Sequence, residues 1–136
     1  MKDARLIAQL ESECFSESWS FDTIREQLSH ENVIYTLLYD ENENAAGFAL
    51  GAVCADEAEL YRIAVLSEIR KKGFGSRLMN DFEKLCREKG AEKIFLEVRS
   101  KNIPAVSLYK KCGFSCIHTR KNYYSDDDAA VYLKNL

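Results

Sequence analysis

The chain of 136 residues has a single proline, Pro104, and only six glycines. So few breakers leave regular elements free to run over most of its length, and no linker, internal repeat or low-complexity segment interrupts it. No apolar run approaches the roughly 18 residues of a membrane span, and Met1-Lys2-Asp3-Ala4-Arg5 lacks the apolar region of a signal peptide. A cytoplasmic protein with no membrane partner is therefore expected. Positive charge is not in excess. Nineteen Lys and Arg stand against 22 Asp and Glu, a net charge of −3, which argues against a general nucleic-acid binder. The five cysteines, Cys14, Cys54, Cys86, Cys112 and Cys116, are odd in number and match no zinc or redox spacing, so reduced and mostly buried thiols are expected. A nucleophilic thiol would want a basic partner, and only His118, two residues from Cys116 and so on the same strand face, offers one.

What remains is a soluble globular composition, 46% hydrophobic and 30% charged, sufficient for one domain over residues 1–136 with a real core. Leu6, Ile7 and Leu10 lie at helical spacing within residues 3–14. Ser20 reads as the N-cap of a helix running to about Leu28. Val33 to Asp40 and Ala45 to Cys54 form a hairpin around the polar turn at residues 41–44, and Ala58 to Val65 follows as a third strand. A helix from about Gly75 to Lys89 buries Leu78, Met79, Phe82, Leu85 and Cys86 and stops at Gly90. Lys93 to Val98 is nearly continuous in apolar residues, the pattern of a central parallel strand. Asn102 caps a short helix that tolerates Pro104 in its first turn and ends at Gly113. Residues 115–123 and 129–134 close the fold as an antiparallel pair. This order predicts a mixed α/β sheet with a right-handed parallel crossover and about four flanking helices.

Between the third strand and the long helix lies Arg70-Lys71-Lys72-Gly73-Phe74-Gly75-Ser76-Arg77-Leu78. Gly73 and Gly75 permit close backbone approach. The first-turn N–H groups of the helix have no intrahelical partners and sit at its positive end. Arg70, Lys71 and Lys72 add charge, so a pyrophosphate fits the loop, although a basic helix cap would look similar. Leu78 in the third glycine position excludes a dinucleotide fingerprint, and no Gly-Lys-Ser/Thr marks a nucleoside-triphosphate loop. Glu97, in Leu96-Glu97-Val98-Arg99, is a carboxylate near the end of an apolar strand. Desolvation there would make it a better base, and a salt bridge to Arg99 is the plainer alternative. Tyr109 lies on the helix leaving that strand and can return toward the same cleft as a proton donor, or serve as a core aromatic. Asn102 can cap its helix and also donate to a ligand.

Taken together, Ile63-Ala64-Val65, Arg70-x-x-Gly73-x-Gly75-Ser76-Arg77-Leu78, Leu96-Glu97-Val98-Arg99, Asn102 and Leu108-Tyr109-x-x-x-Gly113-Phe114 resemble the GCN5-related N-acetyltransferase (GNAT) family. The resemblance runs from about Cys14 to Leu133. Within that family, Cys14-Phe15, Trp19-Ser20, Asn122-Tyr123-Tyr124 and Asp128-Ala129 are similar to the type that acetylates the N-terminal alanine of a small-subunit ribosomal protein. The resemblance implies an enzyme that uses acetyl-CoA and no metal. Acetyl-CoA would be held by Ile63, Ala64, Val65, Arg70, Lys71, Lys72, Gly73, Phe74, Gly75, Ser76, Asn102 and Tyr109. Glu97 would act as base and Tyr109 as acid. The acceptor would be a protein N-terminus, on a basic ribosomal protein, lying along Trp19, Tyr123 and Tyr124, with Asp126, Asp127 and Asp128 available to attract it.

The chain departs from its family at several points. The strand that usually precedes the first helix is missing or shortened, which exposes a sheet edge for a partner or a second copy to cover. Leu66-Ser67-Glu68-Ile69 stands where relatives carry Asp-Pro, and Arg62 stands where the nearest relatives carry Asn. Two alternatives stay open from the residues alone: acetylation of a small-molecule amine such as a polyamine or antibiotic, and a CoA-binding module without turnover.

Overall fold

The computed structural model describes residues 1–70 and 72–136. In chain order the elements are α1 (Lys2–Cys14), α2 (Phe21–Leu28), β1 (Val33–Tyr39), β2 (Ala45–Cys54), β3 (Glu57–Val65), a 3-10 turn (Ser67–Ile69), α3 (Phe74–Glu88), β4 (Lys93–Arg99), α4 (Ile103–Lys111), β5 (Ser115–Tyr124) and β6 (Asp127–Asn135). The expected caps form. Ser20 Oγ accepts the Thr23 N–H at 3.1 Å and Asn102 Oδ1 accepts the Ala105 N–H at 3.3 Å. Just beyond α3 and α4, Gly90 and Gly113 take φ of +87° and +95°, the left-handed turn that releases the chain from a helix. The 3-10 turn is the one element that carries no periodic signal in the sequence, being three residues long.

The six strands form one sheet in the order β1-β2-β3-β4-β6-β5, parallel only between β3 and β4. The closing antiparallel pair is present, and its last strand is the one that docks against β4. The first element is a helix, so β1 forms one sheet edge and β5 the other.

Helices α3 and α4 cover one face, where Met79, Phe82, Cys86 and Tyr109 meet Ala58, Leu60, Ile94, Leu96, Val98 and Tyr132. Helices α1 and α2 cover the other face over β1 to β3, packing Ile7, Leu10 and Ile24 on Phe48, Leu50 and Ala64. On that second face Glu97, Arg99 and Arg120 of β4 and β5 are exposed. Among the described residues no helix is long and apolar enough to cross a membrane.

Two irregularities re-aim side chains. In β3, Leu60 pairs with Gly51 and Arg62 with Leu50, leaving Tyr61 as an extra residue. This bulge reverses the alternation of the strand. Leu60 lies in the α3 core, while Arg62 and Ala64 lie toward α1. In β5, Ile117 is the extra residue between Cys116 and His118. The two therefore face opposite sides, and the proposed thiol–imidazole pair does not form. The expectation of mostly buried thiols also fails. Only Cys86 is buried, Cys14 and Cys112 are half-buried, and Cys54 and Cys116 are exposed, because strand ends and edges shield little surface.

The parallel ladder joins Glu57–Leu60 to Lys93–Leu96 and goes no further. Beyond it β3 stays bonded to β2 as far as Val65, and β4 stays bonded to β6 as far as Arg99. Each strand is held on its outer side, and a gap opens between them.

Gly51 sits across from the bulge. A Cβ there would stand 2.2 Å from the Glu59 carbonyl oxygen and 2.6 Å from Phe82 Cζ. Neither a backbone carbonyl nor a core ring can give way cheaply. Gly51→Ala is expected to lower unfolding free energy by about 3 kcal/mol, the upper end for overpacking, as read by urea denaturation.

Candidate active site

On the α3 side of the gap the chain builds an anion cradle. Gly73 takes φ of +82° as the N-cap of α3, and among the described residues nothing beyond its chain neighbours lies within 4 Å of where its Cβ would be. The Arg77 N–H bonds back to the Gly73 carbonyl at 3.1 Å. Helix geometry leaves the earlier first-turn N–H groups, on Phe74, Gly75 and Ser76, without intrahelical acceptors. Among the described residues no side chain caps this end, and no acid occupies its first turn. Gly75 has a second reason to be glycine: its Cβ would press on Leu108 of α4 at 3.2 Å. Lys72 is exposed. Lys71 lies outside the described residues. Arg70 turns back, and its Nε donates to the Val65 carbonyl at 2.8 Å, so its charge sits at the end of β3. Asn102, exposed, is engaged as the cap of α4.

The backbone of Ile63, Ala64 and Val65 pairs with Ala49, Phe48 and Gly47 on one side. Its other side faces the gap, where the ladder to β4 has ended. An extended ligand with amides of its own could bond there as a strand would. The uncapped helix end and the open strand edge together fit a long molecule with a pyrophosphate at one end.

On the opposite side of the sheet lies a cleft of about 390 Å³ lined by Trp19, Gln27, Glu59, Leu60, Tyr61, Glu97 and Tyr124. Strand alternation puts Glu97 here, because its neighbours Leu96 and Val98 point into the α3 core. The expected desolvation of Glu97 is not seen. Its side chain is 30% exposed and its Oε1 lies 3.4 Å from Arg120 Nε. The alternative partner, Arg99, pairs instead with Asp126 and stacks 4.0 Å over the Tyr124 ring.

Trp19 and Tyr124 meet Glu97 in the cleft, whereas Tyr123 does not line it. Tyr123 is 54% exposed and touches the Tyr124 ring edge-on at 5.1 Å. The acidic run is consumed locally. Asp126 holds Arg99, Asp127 accepts the Lys101 N–H at 2.8 Å, and Asp128 accepts the Asn122 N–H at 2.8 Å. These carboxylates build the β5–β6 turn, with Asp126 still largely exposed. A larger hollow, about 970 Å³ between the start of α1, α2 and β1, contains none of these residues.

Tyr109 is on the other side of the sheet from Glu97. It is 7% exposed, packed against Phe114 and Tyr132 at ring distances of 6.0 and 6.4 Å. Burial pushes its phenol up to about 12, so it stays protonated at neutral pH. It does not line the cleft of Glu97. The expectation that both share one cleft is corrected: alternation along β4 sends Glu97 to one face, and α4 packs Tyr109 on the other, with the gap between.

Three cleft residues carried no signal of their own in the sequence: Gln27, Glu59 and Tyr61. Glu59 was accessible by alternation, since it shares the face of Glu57 opposite buried Ala58 and Leu60. Its carboxyl is raised above the ordinary carboxylate value, first by burial and then by the charge of Glu97. Among the described residues neither a cation nor a hydrogen-bond donor pairs with it.

The sequence profile of the acetyltransferase (GNAT) family matches residues 4–114. The [ribosomal protein bS18]-alanine N-acetyltransferase of Haemophilus influenzae is 34% identical over 122 residues, which are 90% of this chain and 82% of that protein. The crystal structure of the ribosomal-protein-S18-alanine N-acetyltransferase from Escherichia coli superposes with a TM-score of 0.88 at 28% identity, covering 99% of this chain and 88% of that one. Arabidopsis thaliana NAA60 in complex with acetyl-CoA is alike in fold, with a TM-score of 0.86 at 15% identity, over 99% and 95% of the two chains.

A carboxyl raised in the folded state favours the protonated native protein. Its contribution to stability is present below the ordinary carboxylate value and is lost as pH rises through the raised one. Glu59→Gln should therefore raise the melting temperature at pH 7 and change it little at pH 4, as measured by scanning calorimetry at both values.

Proposed function

Because the chain belongs to the acetyltransferase (GNAT) family, we propose that it transfers an acetyl group from acetyl-CoA to a protein N-terminal α-amine, that of the N-terminal alanine of a small-subunit ribosomal protein. The observation that carries this reading is the gap between β3 and β4, with an anion cradle on one side of the sheet and a carboxylate-lined aromatic cleft on the other. The alanine N-acetyltransferase activity of the Haemophilus influenzae relative, at 34% identity, supports the choice of acceptor.

Acetyl-CoA supplies an acetyl group activated as a thioester. In our reading its phosphates lie on the N–H groups of Phe74, Gly75 and Ser76, with Lys72 exposed beside them. Its amide-bearing arm runs along the open edge of Ile63 to Val65. Arg70, whose Nε holds the Val65 carbonyl, stands at the end of that edge, and Asn102 joins the donor-binding set on the strength of the family resemblance.

The acceptor enters from the opposite cleft. An α-amine, with an ordinary pKa near 8, is easier to deprotonate than a lysine near 10.4. The Glu97 carboxylate takes a proton from the acceptor ammonium, directly or through water, and leaves a lone pair free to attack. As the C–S bond breaks, Tyr109 Oη gives a proton to the departing thiolate sulfur from the far side, and the acceptor nitrogen sheds its second proton to solvent, from which Tyr109 is reprotonated. An N–H near Val65 stabilises negative charge developing on the carbonyl oxygen. Glu59 and Glu97, with the rings of Trp19, Tyr61 and Tyr124, suit a cationic acceptor terminus. That makes a basic peptide the preferred partner, for a reason other than the acidic turn.

Glu97→Gln is expected to lower kcat by about 10²–10⁴-fold, the usual worth of a positioned base, and to leave acetyl-CoA affinity by calorimetry unchanged. An unaltered pH–rate profile in this variant would remove Glu97 from the role of base.

A further inference from the structure

Glu11 lies on the buried face of α1 beside Ile7 and Leu10, and its side chain is completely shielded from solvent. A carboxylate in such a place needs a paired charge and satisfied oxygens. Arg62 provides both. Its Nε donates to Oε2 at 3.0 Å and its Nη2 to Oε1 at 2.9 Å, the two-pronged geometry of a guanidinium on a carboxylate. Oε1 also accepts the Trp19 backbone N–H at 2.9 Å.

The same guanidinium reaches the segment joining α1 to α2. Its Nη2 donates to the Glu17 carbonyl at 3.0 Å, and its Cζ lies 4.4 Å from the centre of the Phe15 ring and 4.7 Å from that of Trp19. One side chain thus touches Phe15, Glu17 and Trp19 within a connection that has no helix or strand of its own. Arg62 points there only because the Tyr61 bulge reverses the alternation of β3. It also directly precedes Ile63, the first residue of the edge assigned to the donor.

We infer that Arg62 is a positioning residue for the acceptor: clamped on buried Glu11, it holds Trp19 in place as a wall of the cleft opposite Glu97. The inference rests on the reading of that cleft as the acceptor site. It assigns to the β3 strand two tasks on two sides of the sheet, a donor edge in its backbone and an acceptor clamp in the Arg62 side chain. The guanidinium takes no part in proton transfer, so its loss should appear in acceptor binding and leave the chemical step alone.

The test uses Arg62→Lys, which keeps a positive charge beside Glu11 but cannot span both oxygens or offer a planar cation to the two rings. Because removing a partner of a buried charge endangers folding, the double variant E11Q/R62Q, which removes both charges, is measured in parallel. Trp19 is the only tryptophan, so its fluorescence reports this wall directly.

In both variants we expect red-shifted emission, stronger quenching by acrylamide and a KM for an Ala-initiated peptide raised about tenfold, with kcat and acetyl-CoA affinity little changed. A lower melting temperature with unchanged Trp19 emission and unchanged peptide KM would reduce the pair to a structural one and overturn the inference. So would a parallel loss of acetyl-CoA affinity. If the unaltered protein acetylates no peptide, the proposed function falls, and the Trp19 spectrum of the variants decides alone whether Arg62 holds the wall.

Discussion

The parallel pairing of β3 with β4 ends at Leu60 and Leu96, and the placement of the site follows from that ending. Backbone N–H and C=O groups left inside a sheet without partners are costly, so a strand edge opened there calls for another group to bond it. The Tyr61 bulge turns β3 away at the residue after the last pair. Gly51, with the Glu59 carbonyl and Phe82 closing on it, leaves room for no side chain at that crossing. The opening is built into the packing of the sheet.

The gap also separates charges. A pyrophosphate and a carboxylate base would repel each other if they shared one low-dielectric pocket. Here the cradle at the start of α3 and the Glu97 cleft lie on opposite faces. In the proposed reaction Tyr109, kept neutral by burial on the cradle side, would deliver a proton to a sulfur without adding charge there. Glu97, partly exposed and paired loosely with Arg120, remains open to an incoming ammonium. The bulge that opens the gap also turns Arg62 toward Glu11, so the same irregularity shapes both faces.

Much of this fold was legible because local signals agreed with one another. Ser20 and Asn102 cap where capping residues should, Gly90 and Gly113 stop α3 and α4, and the stripe of Leu78, Met79, Phe82 and Cys86 is buried as its spacing implies. Glu97 stood out as a charge within an apolar strand, and the glycine loop as an uncapped helix start. The rest depends on contacts that no local pattern encodes. Glu11 and Arg62 are 51 residues apart, and a pairing over that distance leaves no local pattern. The two bulges shift facing by one residue, which is why His118 leaves Cys116 and Arg62 leaves the α3 core. Glu59 and Tyr61 read as an ordinary outward face of a half-buried strand. Tyr109 was placed by the direction of α4, which puts it across the sheet from Glu97.

The central claim is that a peptide amine and a thioester donor meet through the gap, and mass spectrometry tests it most directly. A basic peptide with a free N-terminal alanine and an internal lysine would be incubated with acetyl-CoA and the protein, and the product mapped. The account predicts one acetyl group, on the α-amine, since the cleft presents Glu97 to the amine that is easier to deprotonate. Acetylation of the lysine alone, or no peptide product from protein that binds acetyl-CoA, would contradict it.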